Sequence, residues 1–253
     1  MTNEKLSQNV IDAAIADSFT HSHQSGLDWS SPSHNMAKQA LKEALFLAQL
    51  SQCLYCRREI KDEPGHVEID HILPKGQKGK AVRWTSNNKG DRRATAGYPS
   101  FTFAPHNLVL VCKRCNNKKG SYDPRKDRTI AADANYVLAD AYYEWVHAYL
   151  HDYDDHIKFL KGLIYQAVNA SPNGDAVITA CKLDELAAVE RKACERKIKR
   201  EKTIVSAFLK LVQYYDQFEW DDLVSIVQGQ FPNEPPTTVR EAGEELRRIA
   251  ARA

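Results

Sequence analysis

Residues 68–74 read Glu68-Ile69-Asp70-His71-Ile72-Leu73-Pro74, and they lie between two Cys-x-x-Cys pairs, Cys53/Cys56 and Cys112/Cys115. The fold turns on this stretch. A two-residue gap lets two sulfurs from one tight turn reach a tetrahedral Zn²⁺, and two such turns complete a closed structural site. The pairs are separated by 55 residues, well beyond the roughly 15–20 of a compact ribbon pattern. An intervening hairpin and loop must therefore bring the knuckles together. Four reduced core thiols explain two independent pairs less well. Disulfides explain them less well again, because no basic-then-apolar signal opens the chain. The expectation is a cytoplasmic protein with one structural Zn²⁺ on Cys53, Cys56, Cys112 and Cys115.

Working outward, Asn107-Leu108-Val109 precedes the second pair and Asn116-Asn117-Lys118-Lys119 follows it. Cys-x-x-Cys, then Glu-x-Asp-His-x-x-Pro, then Asn-Leu-Val-x-x-Cys-x-x-Cys-Asn-x-x-Lys resembles the HNH endonucleases, whose catalytic unit is a ββα-metal core. The match runs from about Gln52 to Asp123, under a third of the chain. The resemblance implies that Asp70 is a ligand of a catalytic divalent metal (Mg²⁺ or Mn²⁺) and that His71 is the general base that activates water. It further implies that Asn107 holds the hairpin and orients that base, and that Asn116 is the second protein ligand. Eight residues separate Asn107 from Asn116, as the family pattern requires. Asn116 stands where His is commoner, which makes this an H-N-N variant.

The chemistry agrees without the family. Phosphodiester cleavage by in-line attack needs an activated water, charge stabilisation at phosphorus and help for the leaving oxygen. An imidazole is largely a free base at neutral pH, and a metal held by a carboxylate and an amide oxygen can neutralise the departing 3′ oxygen. An isolated Asp-His pair is more often a surface ion link, and asparagines beside turns usually form turns; it is the joint spacing that argues for a site. On a strand, Asp70 and His71 point to opposite faces, so the backbone must distort or the metal must sit near the strand edge. His66, Glu68 and His106 are nearby polar residues that the pattern does not require.

Across 253 residues the net charge is only +2, but residues 51–128 carry 17 Lys/Arg against 8 Asp/Glu and the remainder 18 against 25. A basic core inside an acidic chain is the footprint of a polyanionic partner. The densest part is an insertion at 75–98, with Lys75, Lys78, Lys80, Arg83, Lys89, Arg92 and Arg93 interleaved with Trp84 and Tyr98. As a whole it reads as a phosphate-contacting loop. A helix over Lys113–Tyr122 would set Asn116 and Lys119 three apart on one face, placing Lys119 on a phosphate beside the metal.

The expected organisation is α+β. An N-terminal helical segment spans 1–50, with Leu6 to Ile15 on one helix, a Ser/His/Asp-rich loop from His21 to His34, and a second helix near Met36 to Leu50. The nuclease core spans 51–126. A mainly helical domain spans 127–253, with a helix near Thr129 to Leu150 and a hairpin of Ile157–Val168 and Ala176–Lys182 turning at Ser171-Pro172-Asn173-Gly174. Helices then follow at Leu183–Lys202, Thr203–Phe218, Asp221–Gly229 and Thr237–Ala251. His147, His151 and His156 beside Asp152, Asp154 and Asp155 show no diagnostic ligand spacing and read as surface and capping groups. Cys181 and Cys194 read as core thiols. No run of about 18 apolar residues suggests a membrane span.

Tyr143-Glu144-Trp145-Val146-His147 through Asp154-Asp155-His156-Ile157, then Ala180-Cys181-Lys182-Leu183-Asp184-Glu185-Leu186, is similar to the segment after the HNH core in nucleases of ATPase-coupled bacterial defence systems such as Septu. Ala148 stands where that pattern carries Pro. The similarity implies an ATPase or other regulatory protein as partner, or a homo-oligomer. The reading is a metal-dependent HNH endonuclease that hydrolyses DNA, leaving 5′-phosphate and 3′-hydroxyl ends as the family does. The alternatives are an RNA-directed nuclease with the same site, and a non-catalytic zinc module that binds nucleic acid and has no use for Asp70, His71 and Asn116.

Overall fold

In the computed structural model, which describes residues 4–63, 65–76, 91–93, 95–215 and 217–250, the central stretch forms strand β1, Val67–His71. It pairs antiparallel with β2, Leu108–Cys112, with Asp70 opposite Val109 and His71 opposite Leu108. Leu108 to Val111 are all fully buried, the pattern of a strand covered on both faces. Its free edge is closed by a side chain: the Gln49 amide donates to the Leu110 carbonyl (2.8 Å) and accepts from the Leu110 N–H (2.9 Å). This pairing satisfies backbone groups that would otherwise be buried without partners.

Helices frame this pair. α1, Ala13–Gln24, starts at Asp12, whose carboxylate accepts from the Ile15 N–H. It runs past His21, so the expected loop is shorter than the sequence suggested. α2, Asn35–Ala48, buries Leu41 and Leu45. α3, Lys113–Lys119, follows β2 without a gap and ends at Gly120, whose φ of 52° suits glycine.

The chain divides into two compact units, Met1–Lys158 with Gln166–Leu183, and Phe159–Tyr165 with Asp184–Ala253. The first unit thus extends past residue 126, because the following segment packs into it. That segment is not the expected helix at Thr129–Leu150. It is irregular, with short 3₁₀ turns at Asp140–Tyr142 and Tyr153–Asp155. Trp145, Val146, His147, Ala148 and Tyr149 are all buried in succession, which a helix with a single apolar stripe cannot achieve. Trp145 packs on Tyr55 and Tyr122, and the Tyr153 hydroxyl donates to the Tyr55 carbonyl.

The expected hairpin is also shorter. β3, Ile157–Leu160, pairs with β4, Ile164–Ala167. The stretch read as its second strand is a helix, α4, Pro172–Cys181. Ser171, read as part of a turn, is the N-cap: its hydroxyl accepts from the Gly174 N–H, with Pro172 at the first helical position. In the second unit α5, Leu186–Ile198, α6, Ile204–Leu211, α7, Trp220–Gln230, and α8, Pro236–Ala250, enclose Phe208, Leu211 and Val227. Gly243 on α8 is required there, since a Cβ would lie 2.6 Å from the Phe208 ring. Among the described residues no helix is long and apolar enough to cross a membrane.

Candidate metal centre and catalytic cavity

The four cysteines of the two pairs meet. Their sulfurs all lie within 4.8 Å of one another, with Cys56 and Cys112 at 3.9 Å. Tetrahedral Zn²⁺ with bonds of about 2.3 Å sets sulfurs roughly 3.8 Å apart, so the quartet has the size for that ion. Among the described residues it is the one grouping of three or more Cys, His, Asp and Glu close enough together to hold a metal ion. Cys112 ends β2, caps α3 and accepts from the Cys115 N–H (3.4 Å). Hydrogen bonds from Cys115 and its other neighbours hold the Cys112 thiol far below its ordinary range, while the Cys112 sulfur pushes Cys56 and Cys115 upward. One thiolate is favoured without a cation; a cation is what allows the rest to ionise.

At the end of β1 a cavity of about 210 Å³ is lined by Asp70, His71 and Asn116, with Trp29 and Lys75 on its wall. His71 is buried, and its Nε2 lies 3.0 Å from the Thr102 carbonyl. A carbonyl only accepts, so Nε2 carries the proton and Nδ1 is the basic nitrogen. Burial foremost, and then the nearby Lys75 ammonium, pulls the imidazole down to about 3, so the ring is neutral. Asn107 is fully buried behind it. Its side chain accepts from the Leu73 N–H (2.7 Å) and donates to the Leu73 and Phe101 carbonyls (3.0 Å each). It thereby ties the turn after His71 to the turn that presents Thr102.

Asp70 is 6% exposed and sits between two side-chain donors. The Tyr55 hydroxyl donates to one oxygen at 2.7 Å, and the Lys119 ammonium lies 3.1 Å from the same oxygen and 3.4 Å from the other. Burial pushes the carboxyl up, and Lys119 and Tyr55 pull it back. Next to it, the Asn116 amide nitrogen donates to Glu68, leaving its amide oxygen as an acceptor. A carboxylate oxygen and an amide oxygen are hard donors that suit Mg²⁺ or Mn²⁺, ions that keep several of their waters. The donor chemistry fits, with Lys119 sharing Asp70.

Several expected nucleic-acid contacts are structural instead. Lys119 is fully buried and also donates to the His71 carbonyl (2.7 Å), so it is not available to a phosphate. Arg92 is 1% exposed and donates to the Asp123, Arg125 and Lys126 carbonyls and to Glu144. Arg93 donates to the Lys118 and Lys119 carbonyls at the end of α3 and to the Ala180 carbonyl. These guanidiniums satisfy main-chain oxygens that a buried loop would otherwise orphan. Lys75 is exposed at the cavity mouth. Lys78, Lys80, Arg83, Trp84 and Lys89 lie outside the described residues.

Three groups at the site were not singled out from the sequence. Tyr55 lies inside the first Cys-x-x-Cys pair, a position that could have flagged it. The Thr102 carbonyl carries no side-chain signal. Trp29 comes from the segment read as a Ser/His/Asp-rich loop, and its ring packs edge-on against His71 with centroids 4.7 Å apart. His34, at the end of the segment read as a loop, is buried with Nε2 on the Trp29 carbonyl. Glu68 joins the site through Asn116, whereas His66 faces Glu63 and His106 the Gln8 carbonyl. His147 and His151 are buried, on Tyr136 and Asp140 respectively.

No family model matches the chain. Over 93 residues the chain is 30% identical to the Septu protein PtuB of Bacillus thuringiensis. The match covers 37% of this chain and 28% of that protein's length, well under two thirds of the relative.

Proposed function

We propose that this protein is a metal-dependent endonuclease of the ββα-metal (HNH) class that hydrolyses DNA, with β1, β2 and α3 as its catalytic unit. The observation that carries the proposal is the state of His71. It is a buried, neutral imidazole with Nε2–H on the Thr102 carbonyl, leaving Nδ1 as proton acceptor in a cavity shared with Asp70 and Asn116. A zinc module that only binds nucleic acid has no need of a buried base held this way.

In this reading His71 Nδ1 accepts the proton of the water that attacks phosphorus, and Asn107 keeps the ring in register through the Thr102 turn. Asp70 and Asn116 would hold the divalent ion, which would supply charge neutralisation for the phosphate and the departing 3′ oxygen. Lys75 at the mouth meets the incoming phosphodiester anion. That anion offsets the Lys75 charge that helps depress His71, so substrate binding raises the basicity of His71 where it is needed. The cysteine quartet holds a structural Zn²⁺. The likeness to a Septu protein supports a role as the nuclease of a bacterial defence system, working with an ATPase partner.

The deciding experiment incubates the pure chain with plasmid DNA and with RNA, with and without Mg²⁺ or Mn²⁺. His71→Ala serves as the control. DNA cutting that needs the metal and falls at least ~10²-fold in the mutant is expected, since a general base contributes that much. Cutting of RNA alone would transfer the site to the RNA-directed alternative. Undiminished cutting by the mutant removes the reading.

A further inference from the structure

We propose that Tyr55 is a positioning residue for the Asp70 carboxylate, so that the first cysteine knuckle sets the geometry of the divalent-metal site. The inference rests on the nuclease reading for the role of Asp70, and on separate hydrogen bonds for the role of Tyr55. A zinc knuckle asks only for its two cysteines, so the tyrosine between them is free to serve another end.

Tyr55 is held from several sides. The preceding Leu54 N–H donates to the Leu110 carbonyl on β2 (3.1 Å), and the Tyr153 hydroxyl donates to the Tyr55 carbonyl (2.9 Å). Within the knuckle the Cys53 N–H donates to the Arg58 carbonyl, and the Arg57 N–H to the Cys53 carbonyl, each at 2.9 Å. Tyr55 is 1% exposed, and its ring meets the Trp145 ring nearly perpendicular, centroids 5.3 Å apart. With main chain and ring both fixed, the hydroxyl has one place to go. It lies on Asp70 Oδ2, at 2.7 Å.

That contact decides how the carboxylate faces. Each carboxylate oxygen offers about two lone-pair sites. On Oδ2 both are used, by the Tyr55 hydroxyl and by the Lys119 ammonium at 3.1 Å. On Oδ1 the Lys119 ammonium is a longer contact, at 3.4 Å, and the His71 backbone also acts on the group. Oδ1 is the less occupied oxygen and the better able to take an ion. Lys119 is a poor candidate for fixing this rotation. Its ammonium sits on a flexible stem, and it would be repelled by a divalent ion at Asp70. The neutral hydroxyl on a rigid ring is not repelled, so Tyr55 is the donor that stays. Hydrogen-bond partners of a ligating carboxylate tune metal affinity, and here that partner comes from the turn that carries two of the four cysteines.

The test measures Mn²⁺ binding by the zinc-loaded full chain, read from free Mn²⁺ by electron paramagnetic resonance, with no substrate and no cutting. Tyr55→Phe removes one oxygen; it should keep its zinc and stay folded while weakening Mn²⁺ binding at least ~10-fold. Asp70→Asn should weaken binding too. In that background Tyr55→Phe should change it by less than ~2-fold, because the hydroxyl acts through the carboxylate. A hydroxyl that served only the fold would give additive losses instead. Binding within ~2-fold of wild type in Tyr55→Phe, beside a loss in Asp70→Asn, would overturn the inference and leave the nuclease reading standing. Zinc loss or unfolding of Tyr55→Phe would overturn it as well, by making the hydroxyl a support of the knuckle. Unchanged binding in Asp70→Asn would remove the divalent site itself, and the nuclease reading with it.

Discussion

Lys119 shows how much one side chain's direction decides. Read along the sequence, a lysine three residues after Asn116 in a basic stretch belongs on a phosphate. Its ammonium instead lies between the Asp70 carboxylate and the His71 carbonyl, out of solvent. The reason lies in two periodicities. Glu68 and Asp70 share one face of β1, and Asn116 and Lys119 share one face of α3. The elements meet through two polar rungs, Glu68 to Asn116 and Asp70 to Lys119. The helical spacing of Asn116 and Lys119 was legible; which way that face turns depends on packing that no local pattern encodes. Lys119→Met keeps the stem's volume and removes the charge, leaving Asp70 buried with Tyr55 as its remaining side-chain donor. Breaking a buried pair from one side costs about 3–5 kcal/mol, and a shift of that order in urea unfolding is expected. Adding Asp70→Asn should recover part of it. A Lys119→Met chain of wild-type stability but weaker DNA binding would restore the phosphate role.

At the scale of elements, the structure is read well where local chemistry sets the ends and poorly where packing does. The cysteine pairs, β1 and α3 were legible because ligand spacing, alternation in β1 and the motif around them fix them within a few residues, and α6 because its apolar stripe is strong. Residues 129–150 misled because Ala, Leu and Tyr suit a helix, yet Trp145 to Tyr149 bury every side chain in turn. Within that stretch His147 is fully buried, accepts from the Tyr149 N–H, and is pulled down to about 3, chiefly by burial. Its folded value lies below the ordinary 6.5, so below about pH 6.5 the unfolded chain gains a proton that the folded chain refuses. The stability it contributes is complete above that value and is lost as pH falls toward 3, at about 1.4 kcal/mol per pH unit. His147→Gln should flatten the stability slope between pH ~5 and ~6.5 by that amount, and an unchanged slope would mean the ring is charged when folded. Cys112 joins β2 to α3 and to the quartet at once. Metal analysis should give one zinc per chain, and Cys112→Ser, or a strong chelator, should unfold the first unit, because structural zinc supplies folding free energy directly. Zinc-free protein with four free thiols and an unchanged melting curve would show the quartet to be a packed thiol cluster.

For the whole molecule, the charge asymmetry takes on a sharper form than the sequence halves suggested. Residues 129–158, which belong to the first unit, carry six Asp/Glu against one Lys, whereas the second unit is balanced at 13 Lys/Arg to 13 Asp/Glu. The acidic excess therefore lies in the same unit as the candidate catalytic cavity, and the second unit neither repels DNA strongly nor adds an evident surface for it. What the second unit does present is apolar. α6 and the 3₁₀ turn that follows it, Val212–Tyr214, leave Val205, Leu209 and Val212 at 45%, 58% and 51% exposure, at i, i+4 and i+7, a single stripe. In the reading proposed above, a nuclease must be kept from its own cell's DNA by a second protein, and this stripe suits the ATPase partner of that reading. The pure chain is then expected to cut slowly, and co-expression with an ATPase encoded beside it should raise the rate and give a stable complex. Leu209→Glu should remove that gain and the complex while leaving the slow, unassisted cutting and the melting temperature unchanged. Rapid, indiscriminate cutting by a strictly monomeric chain with nothing added would sink the idea of restraint. A complex that survives Leu209→Glu would move the docking surface elsewhere on the chain.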